Sequence, residues 1–362
     1  MRAAGADVIN LGIGSPDLMP PSSAIQAARD EINGARNHGY ASYRSTPELR
    51  GAMSGWYQKI YGVSVDPENS VLPLLGSKEG ILYLSMALLN PGDGVLVPNP
   101  GYPAYSSVAS LLGARMISYD LTEENSWLPD LAALEKQDLT RCKLMWVNYP
   151  HMPTGTSCDE NFFLRLIDFA RRNRILICND NPYGLVLNRK PPLSILATDP
   201  RMEVSAELNS LSKSFNMAGW RVGMFLGSPE LVNAVLQVKS NVDSGMFLPI
   251  QAAAVQALGV ADDFHMERNR IYEERRELIW KIFDRMGYRY SRDQVGLFVW
   301  AKAPDAIPEV SGHLDEILKS SHVFITPGMI FGSNGNRFAR ASLCAPKKTL
   351  EEALRRIEGM SR

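Results

Sequence analysis

Cysteine is scarce in this chain. Only four occur in 362 residues (Cys142, Cys158, Cys178 and Cys344), and no two form a Cys-x-x-Cys pair. A disulfide scaffold is therefore excluded, no metal is expected, and buried free thiols in a reducing compartment are the simplest account. Long apolar runs are also missing: none approaches the ~20 residues of a membrane span. Residues 1–10 lack the apolar centre of a secretory signal, so the expected location is the cytoplasm and no membrane partner is expected. Nor is there an excess of either charge. Lys and Arg number 38 against 39 Asp and Glu, for a formal net charge of −1. Short basic pieces such as Arg171-Arg172 and Arg355-Arg356 suit helix ends or solvated helix faces, and nothing points to nucleic acid. Internal repeats and low-complexity tracts are absent.

What is present is an ordinary globular composition, 45% hydrophobic and 21% charged. The length suggests two domains at ~100–200 residues each. The middle of the chain alternates short apolar runs with helical patterns. Residues 94–97, 114–121, 143–149 and 175–179 read as strands. Between the last two, Ser157 and Glu160 have the spacing of a capping box. Phe163, Leu166, Ile167 and Ala170 follow at helical intervals, and Arg171, Arg172 and Arg174 close the helix where cations suit its dipole. Such units in series predict an α/β fold with a mostly parallel sheet and helices on both faces. Ligands of these sheets bind beyond the carboxyl ends of the strands. After about residue 262 the texture changes. A long charged helix over 267–286 is followed by a strand at 295–301, a helix at 312–320, a strand at 323–326 and a last helix at 349–359. We expect a large domain over 21–262 and a smaller α+β domain made of 1–20 and 263–362.

The sharpest segment is Ser210-Leu211-Ser212-Lys213, set between strand-like runs at 204–208 and 222–227, with Arg221 just before the second. A lysine amine there can form a Schiff base with an aldehyde cofactor. Ser210, Ser212 and Arg221 can hold a phosphate dianion, the arginine through its planar fork. A Ser-Lys pair alone is most often a solvated loop. The whole stretch from Ser210 to Gly223, however, closely resembles the lysine motif of the class I/II aminotransferases, the fold-type I enzymes that use pyridoxal 5′-phosphate. Other landmarks of that family occur in order over nearly the whole chain.

The resemblance implies a role for each landmark. Asp180, in Asn179-Asp180-Asn181-Pro182-Tyr183, is similar to the aspartate that pairs with the protonated pyridine nitrogen and makes the ring a better electron sink; alone it reads equally well as a helix N-cap before Pro182. Tyr183 resembles the tyrosine that hydrogen-bonds the cofactor's phenolic oxygen. Gly76-Ser77-Lys78 is similar to the phosphate turn, a small-residue turn opening a helix. Tyr102 holds the place of the aromatic residue stacked on the cofactor ring. Tyr40 is placed like the tyrosine that reaches the phosphate of a neighbouring subunit, which implies a homodimer with shared active sites. The helix after it has Leu49, Met53, Trp56, Tyr57 and Ile60 on one face. Gly14 occupies the position whose backbone approaches the substrate carboxylate. Arg340 matches the arginine that binds that carboxylate, with Arg337 an alternative in the same strand.

The chain departs from the family in three places. Where relatives have Asn-x-Pro-x-Asn-Pro-Thr-Gly, this chain reads Asn148-Tyr149-Pro150-His151-Met152-Pro153-Thr154-Gly155. The second asparagine normally donates to the phenolic oxygen, and a thioether cannot. Either His151 or Asn148 supplies the bond, or Tyr183 acts alone, and the Schiff base is expected to hold its proton more tightly than in relatives. Ser45 stands where the family usually has glycine, so the local turn is expected to differ. Few residues precede Gly12, which implies a short lid or a truncated start.

The expected activity is transamination between an L-amino acid and a 2-oxo acid, by a ping-pong mechanism through Lys213, with Asp180 and Tyr183 completing the catalytic set. Asn148 joins the expected cofactor contacts. A carbon–sulfur β-lyase of the same fold is the main rival. A PLP-binding module without turnover is a distant one, since no DNA-binding segment accompanies it. Arg44 and Arg292 are candidates for holding a side-chain carboxylate.

Overall fold

The computed structural model describes residues 5–360. A seven-stranded sheet runs in the order Val71–Leu74, Gly223–Leu226, Ser205–Ser210, Leu176–Asp180, Cys142–Val147, Gly94–Asn99, Arg115–Asp120. Only Gly223–Leu226 runs against its neighbours; the other pairings are parallel. Consecutive residues of the central strands enter opposite cores. Leu144 and Trp146 pack on one face, and Met145 and Val147 on the other. This two-residue alternation, with apolar residues at every position, marks a sheet covered by helices on both faces.

The C-terminal part builds its own core around Tyr272, Ile279, Phe283, Val299, Ile317 and Leu350, joined by Ile9 and Leu11. Its antiparallel sheet has the order Thr326–Pro327, Phe338–Ser342, Phe298–Lys302, Arg289–Tyr290. The strand Ile9–Asn10 pairs in parallel with Val323–Phe324. The boundary expected at 262 falls at the first turn of the helix Asp262–Arg285.

Several local expectations need correction. The cap of the helix Glu160–Asn173 is Asp159, not Ser157. The Asp159 carboxylate accepts from Phe162 N at 2.7 Å, whereas Ser157 Oγ is buried without a partner. The charged helix starts earlier than expected, at Asp262, because Asp262 and Asp263 suit its positive end. The single strand expected at 323–326 is two short ones that pair with different sheets. No helix begins at Pro182, so Asp180 is a strand end and not a cap. Among the described residues, no helix is long and apolar enough to cross a membrane.

Ser45 adopts the glycine-like conformation despite its side chain. Its φ is 60°, it is buried, and its hydroxyl has no partner. A left-handed residue and an unsatisfied hydroxyl each cost on the order of 1 kcal/mol. Ser45→Gly removes both and loses part of the gain to chain entropy. It is expected to stabilise the protein by about 1 kcal/mol, seen as a raised thermal midpoint; an unchanged or lower midpoint refutes this account.

Candidate active site

A cavity of about 670 Å³ opens beyond the carboxyl ends of the parallel strands. Three strands deliver side chains to it: Asn148 follows Cys142–Val147, Asp180 ends Leu176–Asp180, and Ser210 ends Ser205–Ser210. Lys213 enters from the short helix Leu211–Ser214. Its Nζ donates to Gly14 O at 2.5 Å. Burial pushes the pKa of the amine down, and Arg221 and Arg340 push the same way. A less protonated amine is the better nucleophile and base.

Asp180 is held by Tyr105, whose hydroxyl donates to Oδ2 at 2.9 Å. Its other oxygen, Oδ1, is buried without a protein partner. Burial raises the carboxyl to about 7; the Tyr105 hydrogen bond opposes the shift and the charge of Glu207 adds to it. Sequence reasoning missed Tyr105. The signal was its position one helical turn after Tyr102, which puts both at the start of the helix Pro103–Leu111. Its ring stacks on Trp146 at 5.2 Å and 7°, which fixes the direction of the hydroxyl.

The asparagine alternatives narrow. Asn148 Nδ2 donates to the Asp180 carbonyl, and its Oδ1 accepts from Met152 N at 2.8 Å. The amide oxygen and one of its N–H groups are thus tied to backbone, and Nδ2 keeps a second N–H. His151 is not on the cavity wall. Its Nδ1 lies 2.8 Å from Thr154 Oγ1, and burial pushes the imidazole pKa down to about 3. Of the three groups weighed for the phenolic oxygen, Tyr183 and Asn148 line the cavity and His151 does not. Met152 Sδ instead lies 3.2 Å from Arg340 Nη1. Met152→Asn restores a donor that favours the deprotonated form of the cofactor-bound lysine. The visible absorbance titration of the cofactor-loaded variant is expected to shift down by about one pH unit. A midpoint equal to that of the parent would show that Tyr183 suffices.

The opposite end of the cavity is built for an anion. The helix Ser77–Leu88 starts at Gly76, which has φ 94° and no side-chain cap. A Cβ on Gly76 would lie 2.0 Å from Arg221 Nη2, and one on Gly223 would lie 2.5 Å from Ser77 N. Glycine is therefore needed at both positions to bring the arginine and the strand against the turn. Arg221 donates to Leu75 O at 3.2 Å and Ala218 O at 2.9 Å. Glu79 ties the turn from behind, accepting from Leu75 N at 2.7 Å. Ser77, Lys78, Ser210, Ser212 and Arg221 all line the cavity, as does Tyr102. Gly76 lies behind this wall, and Tyr40 is outside it and 93% exposed.

Arg340 lies between two rings, 3.9 Å from the centroid of Phe298 and 4.5 Å from that of Phe331. Its Nη2 donates to Gly12 O at 2.8 Å, and no ion pair to a described residue neutralises it. Burial lowers its pKa to about 10. A desolvated cation without a counterion is a seat for a carboxylate. Arg337 is turned away, donating to Ile307 O and Pro304 O. Gly14 contributes its carbonyl to Lys213, and a Cβ on it would lie 2.3 Å from Phe298. Neither Arg44 nor Arg292 reaches the cavity: Arg44 donates to Asn233 and Glu68 O, and Arg292 covers the Trp280 ring.

This set fits pyridoxal phosphate: an amine for its carbonyl, an orphaned carboxylate oxygen for its ring nitrogen, a hydroxyl for its phenolic oxygen, and a helix start with hydroxyls and a guanidinium for its phosphate.

Comparison with known proteins agrees. The sequence model of the family described as aminotransferase class I and II matches residues 6–357. An LL-diaminopimelate aminotransferase from Desulforudis audaxviator is 40% identical, over 99% of this chain and 91% of its own length. One from Nitratidesulfovibrio vulgaris (strain Miyazaki F) is 38% identical, over 99% of this chain and 93% of its own. Among solved structures, substrate-bound BacF from Bacillus subtilis superposes with a TM-score of 0.92 at 37% identity, over 98% of this chain and 90% of that one.

Proposed function

The chain belongs to the class I and II aminotransferase family and is a PLP-dependent transferase, and from that premise we propose that Lys213 is both the covalent anchor and the proton carrier of an L-amino acid:2-oxo acid transaminase acting as a cytoplasmic homodimer. The observation that carries this reading is the meeting of three groups on one cavity: the Lys213 amine, the free Oδ1 of Asp180 and the unneutralised Arg340.

Pyridoxal phosphate, when bound, supplies an aldehyde for amines and an electron-accepting ring. The protein's groups do the rest. Arg340 takes the substrate carboxylate, which sets Cα near Lys213. With the cofactor present, Lys213 Nζ would be freed by the incoming amine, take the Cα proton and deliver it to the former aldehyde carbon of the cofactor rather than back to Cα. The Gly14 carbonyl holds Nζ meanwhile. Asp180 Oδ1 would hold the ring nitrogen of the cofactor, and the Tyr105 hydroxyl keeps that carboxylate from turning. Tyr183 would hold the phenolic oxygen. The first product, a 2-oxo acid, leaves before the second 2-oxo acid enters, so parallel double-reciprocal plots follow. LL-diaminopimelate is the substrate in the names of the curated relatives, and Arg340 suits one of its two carboxylates.

The homodimer reading is supported by large exposed apolar residues, Ile13, Met19, Tyr40 and Phe247. The function is tested by adding single L-amino acids to the cofactor-loaded protein without any 2-oxo acid. Stoichiometric 2-oxo acid with loss of the visible band supports transamination. Continuous pyruvate and ammonia from a cysteine-like donor would give the site to the β-lyase reaction. Sedimentation at micromolar concentration is expected to give twice the chain mass.

A further inference from the structure

We propose that the preferred amino acid carries a large uncharged side chain, aromatic or branched aliphatic, and not a second carboxylate; this deepens the transaminase reading and rests on it. Four cations line the cavity: Lys78, Lys213, Arg221 and Arg340. Lys213 is the reacting amine. Lys78 and Arg221 flank the helix start at Ser77, the anion end of the cavity. Arg340 is committed to the α-carboxylate. No described side chain of the cavity is left to neutralise another anion.

The walls around Arg340 are apolar. Phe298 and Phe331 cover its two faces. Met152 sulfur sits at Nη1, where the family's asparagine would place a polar amide. Phe324 lies against Gly12, whose carbonyl holds Nη2; a Cβ on that glycine would come 2.6 Å from the ring. Ile330 completes the wall at the mouth and is 53% exposed. The segment carrying Ile330 and Phe331 is fixed across the cavity by Gly101 N, which donates to Phe331 O at 2.8 Å.

A substrate whose carboxylate sits on Arg340 therefore presents its side chain to phenyl, sec-butyl and thioether groups, with the Thr326 and Tyr183 hydroxyls beside them. An apolar side chain covers Ile330 and loses only apolar hydration. A distal carboxylate would lose water with no cation from this chain's own cavity wall in exchange, which is unfavourable. Arg340 also cannot serve both ends, because the rings confine its guanidinium to one plane and Gly12 O and Met152 Sδ lie against its two terminal nitrogens.

The test uses the cofactor-loaded protein and unreactive acids that fill the substrate site without transferring an amino group. Dissociation constants for 3-phenylpropanoate, 4-methylpentanoate and glutarate are read from the shift of the visible absorbance. The apolar acids are expected to bind roughly tenfold or more tighter than glutarate, and L-phenylalanine or L-leucine to convert the cofactor faster than L-glutamate or LL-diaminopimelate. Ile330→Arg, at an exposed position that tolerates charge, is expected to narrow or reverse the glutarate ratio. Tighter glutarate, or faster conversion by LL-diaminopimelate, overturns the proposal, leaves transamination intact, and places a second cation on a partner subunit. If no acid shifts the absorbance and no amino acid converts the cofactor, the transaminase reading fails and this proposal with it.

Discussion

Replacing Lys213 with alanine is expected to remove the visible band of the covalently held cofactor and to lower turnover by ~10⁴ or more. Two functions are lost together. The first is attachment: without Nζ the cofactor is held only by its ring and phosphate contacts. The second is proton transfer at Cα, and no other cavity group can replace it. Lys78 belongs to the anion end, the guanidinium groups stay protonated, and Tyr183 is buried and shifted well above its ordinary pKa. Lys213→Arg separates charge from chemistry, since it keeps a cation near Gly14 O without offering a neutral amine. Both variants are expected to be equally inactive. Retention of the band in Lys213→Ala would move the attachment to another lysine and remove the basis for the mechanism.

Asp180→Asn is the second large effect. The amide preserves volume but cannot carry the negative charge that keeps the ring nitrogen protonated. Removing one preorganised charged partner is worth ~10²–10³ in rate, so kcat/KM is expected to fall by about that factor. Stability without cofactor moves oppositely. The folded-state carboxyl is raised to about 7 from an unfolded value near ~4. The contribution of its neutral form is therefore fully present below the unfolded value and is gone once pH exceeds about 7. Asparagine avoids that loss. The cofactor-free variant is expected to melt above the parent at pH 8, with the gap closing towards pH 4. A parent that melts higher at both pH values would mean that another group neutralises Asp180. Lower activity with higher stability is the signature of a residue kept for chemistry.

Most of the proposed catalytic set could be picked out in the sequence because each member lies within a short segment whose neighbours specify its setting. Lys213 and Arg221 share one strand–turn–strand stretch, and Asp180 and Tyr183 another. Tyr105 was not legible: its partner Asp180 is 75 residues away, and a buried tyrosine looks the same whether or not its hydroxyl serves a carboxylate. The Met152–Arg340 contact spans 188 residues. The substitution at Met152 could be noticed in the sequence, but its new neighbour could not. Phe298 and Phe331 gave no signal in the sequence; Phe298 pairs with Ser342, diagonal to Arg340, and its ring meets the guanidinium only in the folded chain. At the helix Glu160–Asn173, the Ser157–Glu160 spacing pointed to the wrong cap. Ser157 is two residues too early for its hydroxyl to reach the first free N–H groups, and Asp159 takes them.

The N-terminal strip has a consequence for how the protein is made. Gly12 O meets Arg340 across 328 residues, Gly14 O meets Lys213 across 199, and Asp17 pairs with Arg275 across 258. The strand Ile9–Asn10 has no partner until Val323–Phe324 has been synthesised. At ~5–20 residues per second, this segment waits on the order of tens of seconds on the ribosome with its hydrogen-bonding edge unmatched. The seven-stranded sheet, complete by Leu226, can collapse during that interval. The carboxylate seat cannot, because its floor at Gly12 precedes its arginine by 328 residues. A ribosome-bound chain halted before residue 323 would thus hold a nearly finished cofactor pocket with no place for the substrate.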